Sequence, residues 1–238
     1  MLRQTERGQE GRCRDEAIRL EPSKASYYLD VGAILLERDR PQGALEAAAR
    51  ALQINPSSFE AWYLQGSAQK KLGDLRDAVK SYARATTLRP NSARALLALA
   101  LAQMEDGQTA AQITFERGIR QFPGDALFYQ EYSRMLLSLK RNPASQAKAV
   151  SLLEKAIVLD GSLAEPHYEL GRLDMENGNL GEAVAQFQAS ARLDPGNGKT
   201  HYALAMLYRR LGRTEDATRE LQIFKKLEGR DRSGAQTP

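Results

Sequence analysis

Proline recurs in this chain at Pro22, Pro56, Pro90, Pro123 and Pro195, at intervals of 34, 34, 33 and 72 residues. Gly161 divides the last interval into 38 and 34. A proline has no backbone N–H and cannot continue a helical ladder, so each recurrence marks the end of a helical segment. A period of 34 with this punctuation is the signature of an array of helix–turn–helix units, a class that usually binds other proteins. In such an array each unit buries apolar surface against its neighbours, so the core is a ribbon rather than a ball.

The clearest unit runs from Ser57 to Pro90. Ser57 and Glu60 read as a capping box, followed by Ala61, Trp62, Leu64, Ala68 and Leu72 at helical spacing. Gly73 stops that helix and Asp74 caps the next, whose apolar face is Ala78, Val79, Tyr82, Ala85 and Leu88. Each helix is about 13 residues, roughly 20 Å long by helix rise. Small residues recur at Gly32, Gly66, Ala100, Ser133, Gly171 and Ala205, and again at Ala44, Ala78, Ala111, Ala149, Ala183 and Ala217. They mark the places where the two helices of a unit approach most closely. Trp62, Tyr82 and Phe187 are expected to fill the wedges between those contacts.

These residues resemble the tetratricopeptide repeat family, whose pattern runs W-x2-L-G-x2-Y, then A-x3-F, then P. In the second unit Trp62, Gly66, Ala78, Tyr82 and Pro90 match, while Gln65 and Gln69 depart. His167, Leu170, Gly171, Ala183, Phe187 and Pro195 match in the fifth unit, and the third and fourth are looser. The resemblance implies an all-α fold, a right-handed α-solenoid of antiparallel helix pairs with six units over 22–228. The units are expected at approximately 25–58, 59–92, 93–125, 126–163, 164–197 and 198–228. Residues 1–12 read as a flexible segment, 13–21 as a partial repeat or capping helix, and 229–238 as a disordered tail. The fourth unit carries about four extra residues around Lys140 to Ser145, where Asn142 and Pro143 read as a cap and first turn that lengthen the turn and its second helix.

Composition narrows the function. One cysteine, Cys13, leaves no intrachain disulfide and no cysteine cluster for zinc. The net charge is +4, from 34 basic and 30 acidic side chains, and no basic stripe with interleaved aromatics marks a nucleic-acid binder. No apolar run approaches the ~18 residues of a membrane helix, which points to a soluble, cytoplasmic chain; the alternative is an exported or membrane-associated setting if the chain is a fragment. Pro195-Gly196-Asn197-Gly198-Lys199-Thr200 imitates a phosphate loop, but Leu193 replaces the first glycine and helical sequence precedes it, so it reads as a loop between units. His167 and His201, 34 residues apart, occupy the slot of Trp62 and lack further ligands for a metal. With no catalytic motif, the chain reads as a non-enzyme without a cofactor.

The resemblance further implies that successive first helices line a concave groove that grips a peptide. By register the groove positions are Leu29, Ala33 and Leu36; Tyr63, Ser67 and Lys70; Leu97, Leu101 and Met104; Gln130, Arg134 and Leu137; Tyr168, Arg172 and Met175; and Tyr202, Met206 and Arg209. Methionines and tyrosines suit an adaptable interface, and the cations suit carboxylates. The expected ligand is therefore a protein or peptide with apolar anchors and some acidic residues. The same apolar side chains also read as packing between adjacent units. The lysine and asparagine clamp of chaperone-binding family members is absent, with Leu29, Ala33 and Leu64 at those places. Apolar ends suggest end-to-end self-association. The leading expectation is a protein-interaction scaffold; the alternative is a substrate-recruiting or regulatory arm of a larger enzyme or secretion machine.

Overall fold

The computed structural model describes residues 24–139 and 143–234. The segments expected over 1–12 and 13–21, and the Asn142 cap, lie outside those residues. Among the described residues there are twelve α-helices and no strands. They group into two compact units that divide between Pro123 and Gly124.

Unit 1 holds three helix pairs: α1 (Ala25–Glu37) with α2 (Pro41–Ile54), α3 (Phe59–Leu72) with α4 (Leu75–Leu88), and α5 (Ala93–Glu105) with α6 (Ala110–Gln121). Unit 2 holds α7 (Ala126–Ser138) with α8 (Pro143–Leu159), α9 (Ala164–Asn177) with α10 (Leu180–Leu193), and α11 (Gly198–Arg210) with α12 (Thr214–Gly234). The two helices of each pair pack against each other, and within each unit every helix packs on the next.

Local chemistry sets the boundaries. Ser58, Ser92, Asp125 and Asn197 each accept a hydrogen bond from a first-turn N–H through the side chain, capping α3, α5, α7 and α11. The cap of α3 is thus Ser58, one residue later than expected. Ser57 instead donates its N–H to Asn55, and Glu60 turns away to pair with Arg89 at 2.6 Å. Gly73 and Gly178 end α3 and α9 with φ of 85° and 84°, a left-handed conformation that costs glycine little. Asp74 occupies the N-cap of α4 but makes no capping side-chain bond. Asn197 as cap and Gly198 as first helical residue make 195–200 an ordinary inter-pair turn.

Close approach needs small side chains at defined places. A Cβ on Gly66 would lie 2.9 Å from the Tyr82 ring, and one on Gly171 would lie 3.0 Å from the Phe187 ring. The six alanines of the second helices, Ala44 to Ala217, are all buried. Phe115, Phe128, Tyr132, Phe187, Leu153 and Leu204 are the large side chains of the core. Burying each stabilises the fold by roughly 1.5–3 kcal/mol against leaving it in water. Tyr82 is so enclosed that burial pushes its phenol up to about 12. Its hydroxyl donates to Ser67 at 3.1 Å.

Three expectations need correction or refinement. Trp62 is half-buried, and its indole N–H donates to the Pro56 carbonyl at 2.9 Å, so it latches the preceding turn instead of filling a wedge. The second helix of the fourth pair is longer, in line with the expectation: α8 has 17 residues, where α2, α4, α6 and α10 have 12–14, and residues 140–142 before it lie outside the described residues. The tail expected from residue 229 is helical to Gly234, because α12 runs 21 residues through Gly229. One glycine in a helix costs only about 1 kcal/mol, which the surrounding Lys, Leu, Glu and Arg offset.

Candidate functional site

In unit 1 the first helices α1, α3 and α5 enclose a concavity of about 490 Å³. Leu29, Ala33 and Leu36 from α1 meet Tyr63, Leu64 and Ser67 from α3, with Asp30, Glu37 and Glu60 beside them. Arg94 of α5 lies 4.1 Å over the Tyr63 ring, which also contacts Tyr82 at 5.4 Å. A guanidinium on an aromatic face is a favourable pairing that leaves its N–H groups free to bond elsewhere. Tyr63 is therefore fixed by the core on one side and offered to the concavity on the other.

The structure brings together the groove positions of α1 and α3 but does not extend that concavity to Lys70, Leu97, Leu101 or Met104. Lys70 is occupied by Glu105 at 2.9 Å. Leu97, Leu101 and Met104 are half-buried along α5.

Unit 2 presents a different first-helix face. Arg134 pairs with Glu131 of the same helix at 2.5 Å. Arg172 is held by Glu169 at 2.9 Å and Glu176 at 2.7 Å. Partial burial pulls the Arg172 guanidinium down, but these two carboxylates outweigh it and hold its pKa above the ordinary value. Burial, reinforced by the charge of Glu169, raises Glu165. Gln130 donates to Glu131 at 3.1 Å, and its own carbonyl oxygen is buried with no partner among the described residues.

The remaining residues of this face divide between core and surface. Tyr168 and Met175 pack against the cluster around Phe187, and Leu137 against Leu153, Leu170 and Leu173. Tyr202 is exposed and its ring meets that of Phe224 at a tilt, 5.3 Å between centroids. Met206 is half-buried, and Arg209 is exposed without an ion pair among the described residues. Arg134, Arg172 and Lys70, expected to meet a ligand's carboxylates, are thus neutralised within the chain. The residues that do this were readable as glutamates three or four positions from each arginine, a spacing that pairs side chains on one helix face. The Lys70–Glu105 pair between helices had no such signal.

The two histidines are structural. His201 is buried, with Glu220 at 2.6 Å and the Pro195 carbonyl at 3.1 Å. His167 meets Gln186 at 2.7 Å. His201 and Trp62 hold the same carbonyl, that of the proline six residues before each. Among the described residues no three His, Cys, Asp or Glu side chains gather as metal ligands, and no helix is long and apolar enough to cross a membrane.

The tetratricopeptide repeat family model matches residues 14–59, 63–126 and 168–224, well over half of the chain. Anaphase-promoting complex subunit 7 of Arabidopsis thaliana is 28% identical over 211 residues, 87% of this chain and 36% of its own length. Human tetratricopeptide repeat protein 33 is 37% identical over 68 residues, 29% of this chain and 26% of its own. The chain thus spans about a third of the first relative's length and a quarter of the second's. Among solved structures, pilF of Pseudomonas aeruginosa superposes with a TM-score of 0.72 at 18% identity, covering 90% of this chain and 93% of that one. At that identity the likeness speaks for the fold alone. The 34-residue period, the helix pairs and the family match agree: this chain belongs to the tetratricopeptide repeat family.

Proposed function

We propose that this chain is a non-catalytic scaffold that holds a segment of a partner protein against its first helices. The observation that carries the reading is the concavity of unit 1, where Leu29, Ala33, Leu36 and Tyr63 present apolar surface beside the polar side chains of Asp30, Glu37 and Ser67. A volume of about 490 Å³ falls in the range of sites that accept ligand side chains. Leu29, Leu36 and Tyr63 receive the apolar anchors of the segment. In unit 1 an acidic residue of the ligand is matched by Arg94, whose guanidinium lies over the Tyr63 ring. Arg134 and Arg172 serve less well, because Glu131, Glu169 and Glu176 already neutralise them.

The role of an arm within a larger assembly is compatible with the same surface. The Arabidopsis relative is by name a subunit of a complex. The two readings share one test. A photo-crosslinking residue at position 33, in the concavity, is compared with one at Ile113, an exposed side chain on the second-helix row. Covalent capture of one partner from position 33 and not from 113 is the expected result. Equal capture from both positions, or capture from 113 alone, removes the reading.

A further inference from the structure

We infer that unit 2 carries a second docking surface, a cleft between α8 and α9 that takes a lysine- or arginine-bearing segment of a partner protein. The cleft has a volume of about 400 Å³. Val150 and Ile157 of α8 and Leu170 and Leu173 of α9 form its apolar walls. Glu154 on one helix and Asp174 on the other are its only charged lining residues. Neither carboxylate has a hydrogen-bond or ion-pair partner among the described residues. His167 and Gln186, which also line the cleft, are bonded to each other at 2.7 Å. None of the lining residues belongs to the first-helix face described above.

The repeat itself shows what is unusual here. Adding 34 to each lining position gives the seam between α10 and α11, where Val184, Gln188, Leu204, Leu207 and Tyr208 stand. In that seam Tyr208 is buried against the cluster around Phe187 and Ala183. Gln188 donates to its hydroxyl at 2.9 Å, so the polar tip is satisfied as well. At α8 and α9 the same two places hold Glu154 and Asp174. The large ring is missing, and a neutral hydrogen-bonded pair is replaced by two like charges. Glu154 is exposed and Asp174 half-buried, so both carboxylates are open to a cationic side chain that enters the cleft. The α10 and α11 seam does have a carboxylate, Glu220 at the place of Gln186, but that one is bonded to His201 at 2.6 Å.

The chemistry of the occupant follows from both features. A lysine or arginine side chain can lay its methylene stem along Val150, Ile157 and Leu170 while its head meets Glu154 and Asp174. A bare metal ion is a poor match, since the walls are apolar and the space is far larger than one ion requires.

The test is an amide NMR titration of the full chain at low salt. The probes are a blocked Leu-Arg-Leu peptide and its Leu-Gln-Leu counterpart. The arginine peptide is expected to shift the amides around Glu154, Ile157, Leu170 and Asp174 and to bind about tenfold more tightly than the glutamine peptide. The double variant Glu154→Gln/Asp174→Asn keeps the side-chain shapes and is expected to erase that difference. Asp174→Tyr restores the ring present at 208 and is expected to abolish the shifts. The inference fails if the two peptides bind alike, or if the double variant with an unchanged melting curve still prefers arginine. It also fails if the same amides shift with protein concentration alone, which assigns the cleft to a second copy. Shifts confined to Ala33 and Tyr63 would sink this inference while leaving the proposed function standing.

Discussion

The first-helix faces of the two units differ, although the pairs beneath them are built alike. In unit 1 the face is a concavity walled by Leu29, Ala33, Leu36 and Tyr63. In unit 2 the equivalents of Leu29 and Ala33 are Gln130 and Arg134 in α7 and Tyr168 and Arg172 in α9, with Leu137 and Met175 at the place of Leu36, and the arginines are locked to Glu131, Glu169 and Glu176. Behind both faces lies the same contact, a glycine under an aromatic ring: Gly66 beneath Tyr82, Gly171 beneath Phe187. The repeat therefore constrains the surfaces that pairs bury against each other and leaves the rest free to diverge. Surface chemistry can change from one unit to the next without disturbing the helix pairs.

The largest expected effect tests that shared contact. Phe187→Ala and Tyr82→Ala should each destabilise the chain by about 3–5 kcal/mol, read by urea or thermal unfolding. Both rings are almost fully buried, and both face a glycine that cannot refill the space. A loss near 1 kcal/mol for one variant and the full loss for the other would break the equivalence of the two units.

A smaller effect sharpens it. Trp62 and His201 hold the carbonyls of Pro56 and Pro195 from the same repeat position, but only His201 is buried and also bonded to Glu220. Trp62→Phe loses one bond at a wet turn and should cost about 0.5–1 kcal/mol. His201→Phe loses two and strands the Glu220 carboxylate, so about 1–3 kcal/mol is expected. Equal losses would mean that burial does not set the value of this latch.

How much of this was legible in the sequence depends on which interaction placed each residue. The helix pairs and the small-residue positions could be read because prolines, glycines and alanines act locally or recur with the period. Gly66 and Gly171 were identified by spacing, and the rings they face were named. The cap of α3 was misplaced by one residue because Ser57 and Ser58 are chemically equal candidates, and only the turn geometry chooses between them. Trp62 was misjudged for a related reason: an indole is both a core side chain and a hydrogen-bond donor, and the fold used the second property. The register put Leu29, Ala33, Leu36 and Tyr63 on one side of the first helices, and these residues line the concavity of unit 1. The cleft at Glu154 and Asp174 was not, since neither residue breaks the amphipathic pattern until its counterpart 34 positions later is set beside it.

The smallest effect concerns the charged residues on the unit 2 face. Glu165 has its pKa raised by burial first and by the neighbouring Glu169 second. A carboxyl whose folded pKa exceeds its unfolded value binds its proton more tightly in the folded state, so ionising it destabilises the fold. That penalty is fully present above the folded pKa and disappears as pH falls below the ordinary value of 4.5. Glu165→Gln should therefore raise the melting temperature at pH 7 by about 1 °C, since the site is only partly buried. The gain should shrink as pH is lowered and vanish near pH 4, where wild type has already taken up the proton. A gain that persists unchanged in acid would assign the effect to packing and remove like-charge crowding as a feature that separates this face from the apolar concavity of unit 1.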